Sequence, residues 1–329
     1  MISDISKVKS ANTLLSRQLS AAISDNRGRG FPGNGLSLQA FPFVGSKNYR
    51  TKNIETTASL FLNPEIRDQL KYDVFDITQL DLLITDVVAS LWMTDKKTIT
   101  IDDILLALTG SDSHDAPIFA EYIRYRIEET RHIVVEIDWT EECRRRYPEE
   151  APKKGKCIIR GPFHQLSERK WILNHRERET EVYEILGMPP LNEYADAVNQ
   201  IVEISVEQIP PSGKMSVEKL LIRYHLLKKV MIMLNPKNRN KDFLRKVPLF
   251  TTKNGSLGVF EEADIFQEDH RNWKVKKGRT VKICKDIFEE LCKEELIGGY
   301  EPIYGKSDSD KRKKEVIGFS IMLPDSCIA

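Results

Sequence analysis

Apolar side chains recur in this chain at three- and four-residue steps over some stretches and alternate with polar ones over others. The two spacings predict helices and strands respectively. From Asp76 the steps are helical: Ile77, Leu80, Leu83, Ile84, Val87, Val88 and Leu91 form one stripe, so a helix is expected over about 77–94. Lys97-Thr98-Ile99-Thr100 is a short β-favouring piece, and Thr100 is placed to cap a brief helix over Ile101–Leu108 that Gly110 ends. Ser113 is expected to cap a third helix with Phe119, Ile123 and Ile127 inward and Glu121, Arg124, Tyr125, Glu128 and Arg131 outward. The β-branched run from Ile133 to Trp139 then reads as a strand, with Lys156–Arg160 as its partner. The order is helix, short strand, helix, helix, strand, strand. This is the order of a winged helix, whose third helix enters the major groove while the hairpin reaches the flanking backbone.

The cycle repeats further on. The strand-like Thr180–Leu186, the Pro189-Pro190 break and the β-rich Gln200–Val206 lead to Pro210-Pro211-Ser212-Gly213, which reads as the boundary between two units. Ser216 caps a helix over Val217–Leu234 that is apolar on most of its circumference and is therefore expected at the centre of the second unit. A basic loop and a short helix near Glu261–Phe266 precede a helix over Arg279–Leu296, in which Val281, Cys284, Ile287, Phe288 and Leu291 share a side. Strands at about 299–304 and 316–323 follow, joined by a charged loop.

At the other end, Val8, Leu14, Leu15, Leu19 and Ile23 suit a helix within residues 1–24, and the Gly/Pro/Asn cluster 26–35 reads as a flexible joint. The expected fold is thus α+β: two winged-helix-like domains in tandem (36–211 and 212–329) with an N-terminal helical arm and joint (1–35).

Charge changes this picture only locally. Fifty Lys and Arg against 49 Asp and Glu leave a formal charge of +1, so any pull on nucleic acid must come from clustering. The second unit supplies clusters. Arg271, Lys274, Lys276, Lys277, Arg279, Lys282 and Lys285 run through the loop into the candidate recognition helix around Trp273. Lys306, Lys311, Arg312, Lys313 and Lys314 crowd the hairpin tip, and Lys237, Arg239, Lys241, Arg245 and Lys246 form a third set. Cations at such positions meet phosphates and base edges. In the first unit Arg124, Tyr125, Arg126, Arg131 and His132 are the corresponding candidates, but Glu121, Glu128 and Glu129 share their helix and repel phosphate.

Other chemistry finds little footing. Gly155-Lys156 and Gly213-Lys214 lack the earlier glycine and following hydroxyl of a phosphate-cradling loop, and no His-x-His pair stands ready beside a tyrosine. Asp102-Asp103 and Glu136-x-Asp138 are carboxylate pairs for a Mg²⁺-dependent nuclease, but first-turn acids favour the helix dipole and alternating strand acids point to solvent. Five cysteines form no Cys-x-x-Cys, and the spacing of Cys143, Cys157, His164 and His175 matches no structural zinc pattern. No catalytic residue, cofactor or metal is expected. Nor is a membrane segment, because no apolar run approaches the roughly 18 residues that would span a bilayer. The expected location is the cytoplasm.

The stretch Pro189-Pro190-Leu191-Asn192-Glu193-Tyr194-Ala195 through Ile201–Val206, and on into Leu221-Ile222-Arg223-Tyr224-His225-Leu226-Leu227-Lys228-Lys229-Val230-Met231, resembles the tandem winged-helix replication initiators of plasmids and phages. In that family a β-segment precedes a helix with an Arg-Tyr pair and a Leu-rich tail. The resemblance implies sequence-specific binding of repeated origin sites in double-stranded DNA, a monomer–dimer equilibrium, often through the first unit, and recruitment of host replication proteins. A transcriptional regulator with the same fold, or a metal-dependent nuclease or nickase, are the alternatives.

Overall fold

A computed structural model of the chain describes residues 5–26, 29–41, 54–70, 74–113, 115–175, 178–252, 257–266, 269–306 and 314–324. The chain divides into two compact units, Met1–Val202 and Glu203–Ala329. The division falls ahead of the Pro210-Pro211 break expected from the sequence. Ile204, Val206 and Ile209 are buried, and the Gln208 carbonyl accepts a hydrogen bond from Arg223 Nε at 2.6 Å, which fixes this stretch to the second unit.

The first unit opens with β1 (Lys7–Ala11), α1 (Leu14–Asn26), β2 (Phe31–Pro32), β3 (Leu36–Ala40), β4 (Thr56–Leu62), α2 (Pro64–Leu70) and β5 (Val74–Phe75). Then come α3 (Gln79–Trp92), β6 (Thr98–Thr100), α4 (Ile101–Thr109) and α5 (Pro117–Thr130). Next are β7 (Ile133–Asp138), α6 (Thr140–Arg146), β8 (Ile158–Pro162), β9 (Leu166–His175), β10 (Arg178–Ile185) and α7 (Pro190–Ala197). The strand β11 (Ile201–Ser205) runs across the division.

Helices α3, α4 and α5 with the antiparallel sheet β6-β10-β9 form a winged-helix-like body. The wing strands differ from the expected ones. The hairpin is β9–β10, with Thr180 opposite Leu173 and Val182 opposite Trp171, while β7 and β8 join β3 and β4 in a separate antiparallel sheet in the order β3-β4-β7-β8. Both choices look alike in sequence, because β-branched alternation states that a strand exists and not which strand it pairs with.

The N-terminal segment is also more integrated than the expected arm. Leu15, Leu19 and Ile23 of α1 are buried in one core with Leu38, Leu60, Val135, Ile137, Leu191 and Tyr194. Strand β1 is held by side chains of α3: Lys9 N–H donates to Ser90 Oγ at 2.8 Å and Ala11 N–H to Asp86 Oδ1 at 3.1 Å. Nor is the described part of the cluster after it a loose joint. Phe31 pairs with Phe75 across β2 and β5, rings 5.5 Å apart. Gly30 turns the chain with φ +65°, where a Cβ would meet Val74 Cγ1 at 2.2 Å, so only glycine fits.

The second unit has α8 (Val217–Leu234), β12 (Lys246–Pro248), α9 (Val259–Glu262), α10 (Trp273–Lys293), β13 (Gly299–Lys306) and β14 (Lys314–Met322). Its sheet is antiparallel in the order β12-β14-β13, matching the first-third-second strand order of the first unit's winged body. Ser216 Oγ caps α8 by accepting from Lys219 N–H at 3.2 Å, and ten of its side chains, Leu220 to Met233, are buried as the all-round apolar pattern requires. Among the described residues no helix is long and apolar enough to cross a membrane.

Candidate nucleic-acid interface

Helix α10 begins six residues ahead of the expected Arg279. Asn272 caps it, its side chain accepting from Val275 N–H at 3.4 Å, and Trp273 anchors the first turn against Phe260 (5.1 Å between centroids) and Phe250 (6.2 Å). Trp273 therefore serves packing rather than standing free among the cations. Lys274, Lys276 and Lys277 lie on the helix, not in a loop. The buried face is Thr280, Cys284, Ile287, Phe288 and Leu291.

The helical repeat then sorts the basic residues. Opposite the buried face run Val275, Gly278 and Lys282, all exposed, with exposed Lys274 and Arg279 and half-buried Lys285 beside that line, and exposed Arg271 just ahead of the Asn272 cap. Lys276 and Lys277 fall at the edges of the buried face and are engaged there. Lys276 Nζ pairs with Glu218 in the first turn of α8, and Lys277 Nζ lies 2.7 Å from Glu315 Oε2 on β14 and 5.2 Å from the Phe250 ring centroid. These two lysines brace the helix against the first helix and the wing.

Further along, the exposed side of α10 turns acidic with Asp286 and Glu289. Glu290 and Glu294 are engaged inward. The guanidinium of Arg223, with its side chain 2% exposed, donates to Glu290 Oε2 and Glu294 Oε1, both at 2.6 Å, and so fastens α8 to the C-terminal half of α10. The arrangement leaves a cationic N-terminal half on a helix whose other end is locked down. That polarity suits a helix presenting its first turns to a phosphate-lined groove.

At the wing, Lys314 is exposed and opens β14 opposite Lys306 on β13; Lys311, Arg312 and Lys313 lie outside the described residues. In the third basic set Lys237, Lys241 and Lys246 are exposed, while Arg239 Nε donates to the Leu234 carbonyl at 3.2 Å and Arg245 Nη2 to the Arg239 carbonyl at 2.8 Å.

The first unit's third helix is different in kind. It starts at Pro117 rather than after Ser113, since Pro suits the first helical position. Arg124 pairs with Glu121 and with Glu181 Oε2 at 2.8 Å, and Arg131 with Glu128 Oε2 at 2.5 Å. Arg126, an exposed candidate by sequence, is buried and grips the buried Asp81 through Nε (3.0 Å) and Nη2 (2.6 Å). The exposed large apolar and aromatic residues of α5 are Ile118, 87% exposed, with Tyr122 and Tyr125, whose rings stack 6.5 Å apart, and Glu121 and Glu129 are exposed beside them. Cations held by acids and an apolar-aromatic stripe make this a poor match to phosphate.

The carboxylate pairs considered for metal have local partners. Asp103 accepts Thr100 N–H at 2.7 Å in a capping box and Lys96 Nζ at 2.6 Å, and Asp102 accepts Ser113 N–H at 2.7 Å. Glu136 faces Arg160 at 3.4 Å and Asp138 faces Lys156 at 3.0 Å.

Gly278 and Val275 are the site positions that sequence reasoning missed. Starting the helix at Arg279 hid the exposed line they belong to; the usable signal was Asn272 as a cap.

No family model matches this sequence, and no curated protein matches it. Among solved structures, the crystal structure of selenomethionine derivatives of domains 2 and 3 of RctB aligns with 89% of this chain and 91% of that chain, at 12% identity and a TM-score of 0.38.

Proposed function

We propose that this chain binds double-stranded DNA in a sequence-specific way through its second unit, with no catalytic step, as the replication initiator of a plasmid- or phage-like element. The N-terminal half of α10 lies in the major groove, and the β13–β14 hairpin, with Lys306 and Lys314 at its strand ends, meets the neighbouring backbone. The observation that carries the reading is the exposed line Val275, Gly278 and Lys282, flanked by Lys274 and Arg279 and preceded by exposed Arg271, on the third helix of a unit with first-third-second strand order. The initiator role is supported by the tandem plan and by the resemblance of the stretch 189–231 to that family.

The test is titration of the full chain against duplexes from the DNA flanking its gene, at two salt concentrations and with non-specific competitor present. Competitor-resistant binding to a repeated site is expected, with log K falling against log salt by about 0.9 per phosphate contacted. The triple variant Arg271→Glu, Lys274→Glu, Lys282→Glu should lose at least about 100-fold in affinity. No binding by the wild-type chain at about 50 mM salt would remove the DNA reading altogether.

A further inference from the structure

Gly278 stands in the middle of the exposed line of α10, and nothing in the fold of the second unit accounts for it. Its φ is not positive, so the backbone does not require glycine. A Cβ built there meets no atom within 4 Å, so packing does not require it either. An exposed glycine inside a helix weakens that helix relative to alanine, which makes this a position where the fold alone would favour a side chain. One turn before it Val275 is 46% exposed, an apolar side chain among cations, and one turn after it Lys282 is exposed. The glycine is thus a notch between two projecting side chains, at the level where the helix would meet the floor of a groove.

Resting on the DNA-reading proposal above, we infer that Gly278 is the point where the α10 backbone comes into van der Waals contact with base edges of the duplex, with Val275 beside it against a thymine methyl. Glycine is used where backbone must approach a ligand closely, and a thymine methyl is the apolar feature the major groove offers a valine. Arg279 and Lys282, beside the notch, supply the donors for guanine or phosphate oxygens. Specificity then resides in two positions without charge, and the surrounding cations set affinity.

The experiment first selects duplexes from a random-sequence pool with the full wild-type chain. It then measures wild type, Gly278→Ala and Val275→Ser against a selected duplex and a shuffled version of it, alongside thermal unfolding of each protein. Gly278→Ala is expected to raise the unfolding midpoint by roughly 2–4 °C. It should weaken binding to the selected duplex by about tenfold or more and change shuffled-duplex binding by less than about twofold. Val275→Ser should lose preference for thymine at one position of the selected site. Unchanged selected-duplex affinity in Gly278→Ala, equal losses on both duplexes, or a lowered midpoint would each overturn the assignment while leaving the DNA reading intact. A wild-type chain that enriches no duplex overturns the DNA reading, and the glycine assignment falls with it.

Discussion

Arg126 and Asp81 form an ion pair between α5 and α3 of the first unit's winged body. Both are buried, and the Asp81 carboxylate also accepts Thr78 N–H at 2.6 Å and Thr78 Oγ1 at 2.9 Å at the start of α3. Burial alone would lower the Arg126 pKa, but its bonds to Asp81 and the nearby Asp76 carboxylate raise it, so it stays charged. Asp81→Ala leaves that charge buried and uncaps α3, and should lower stability by about 3–5 kcal/mol in equilibrium urea unfolding. A loss below about 1 kcal/mol would show that the guanidinium finds other partners. His164 gives a pH signature nearby. Its Nδ1 lies 2.9 Å from Thr85 Oγ1, its Nε2 has no partner among the described residues, and burial with the Arg126 charge pushes its pKa down to about 3. The folded state therefore binds this proton less readily than the unfolded chain. Stability is full above the ordinary histidine value of about 6.5 and falls as pH drops towards about 3, by up to about 1.4 kcal/mol per pH unit. Replacing His164 with Asn should flatten the fall between about pH 6 and 4; a variant that tracks wild type there would assign the acid sensitivity to other groups.

At the scale of the element, α10 shows what a sequence does and does not reveal. Its burial stripe, Cys284, Ile287, Phe288 and Leu291, is legible from spacing alone, and so are α8 with its Ser216 cap, α3, α4, and the β13–β14 hairpin, where the pattern is local and strongly periodic. The first turns of α10 are harder to read, because their one local signal is the Asn272 cap, while Trp273 packing on Phe260 sustains the helix through tertiary contact that spacing does not show. The pairing of β7 with β4 is hidden for another reason. It joins segments more than 70 residues apart, Val135 opposite Leu60, and alternation is silent about partners. The same element sorts lysines by role. Lys276→Ala and Lys277→Ala should leave the salt slope of DNA binding near the wild-type value, because those ammonium groups are spent on Glu218 and Glu315. Arg279→Ala and Lys282→Ala should each reduce the slope by about one. Equal slopes for all four variants would mean that the bracing pairs open on the duplex.

Two bodies of the same strand order carry third helices with different exposed faces. The third helix of the second unit exposes Lys274, Arg279 and Lys282 in its N-terminal half and is locked by Arg223 at its C-terminal half, whereas α5 of the first unit has its arginines engaged with Glu121, Glu128, Glu181 and Asp81. If both helices read DNA, removing cations from either would weaken binding alike. Phosphate, however, gains little from an arginine already held by a carboxylate, and exposed Glu129 on the same helix opposes it. The double variant Arg124→Ala, Arg131→Ala in the full chain should therefore hold duplex affinity and salt slope within about twofold of wild type. The matched double variant Arg271→Ala, Lys282→Ala should lose at least about tenfold and about two units of slope. Duplex titrations of the two proteins side by side decide the matter: comparable losses would make the first unit a second DNA reader, its ion pairs exchanged for phosphates on binding, and would turn the proposed site from one groove contact into two.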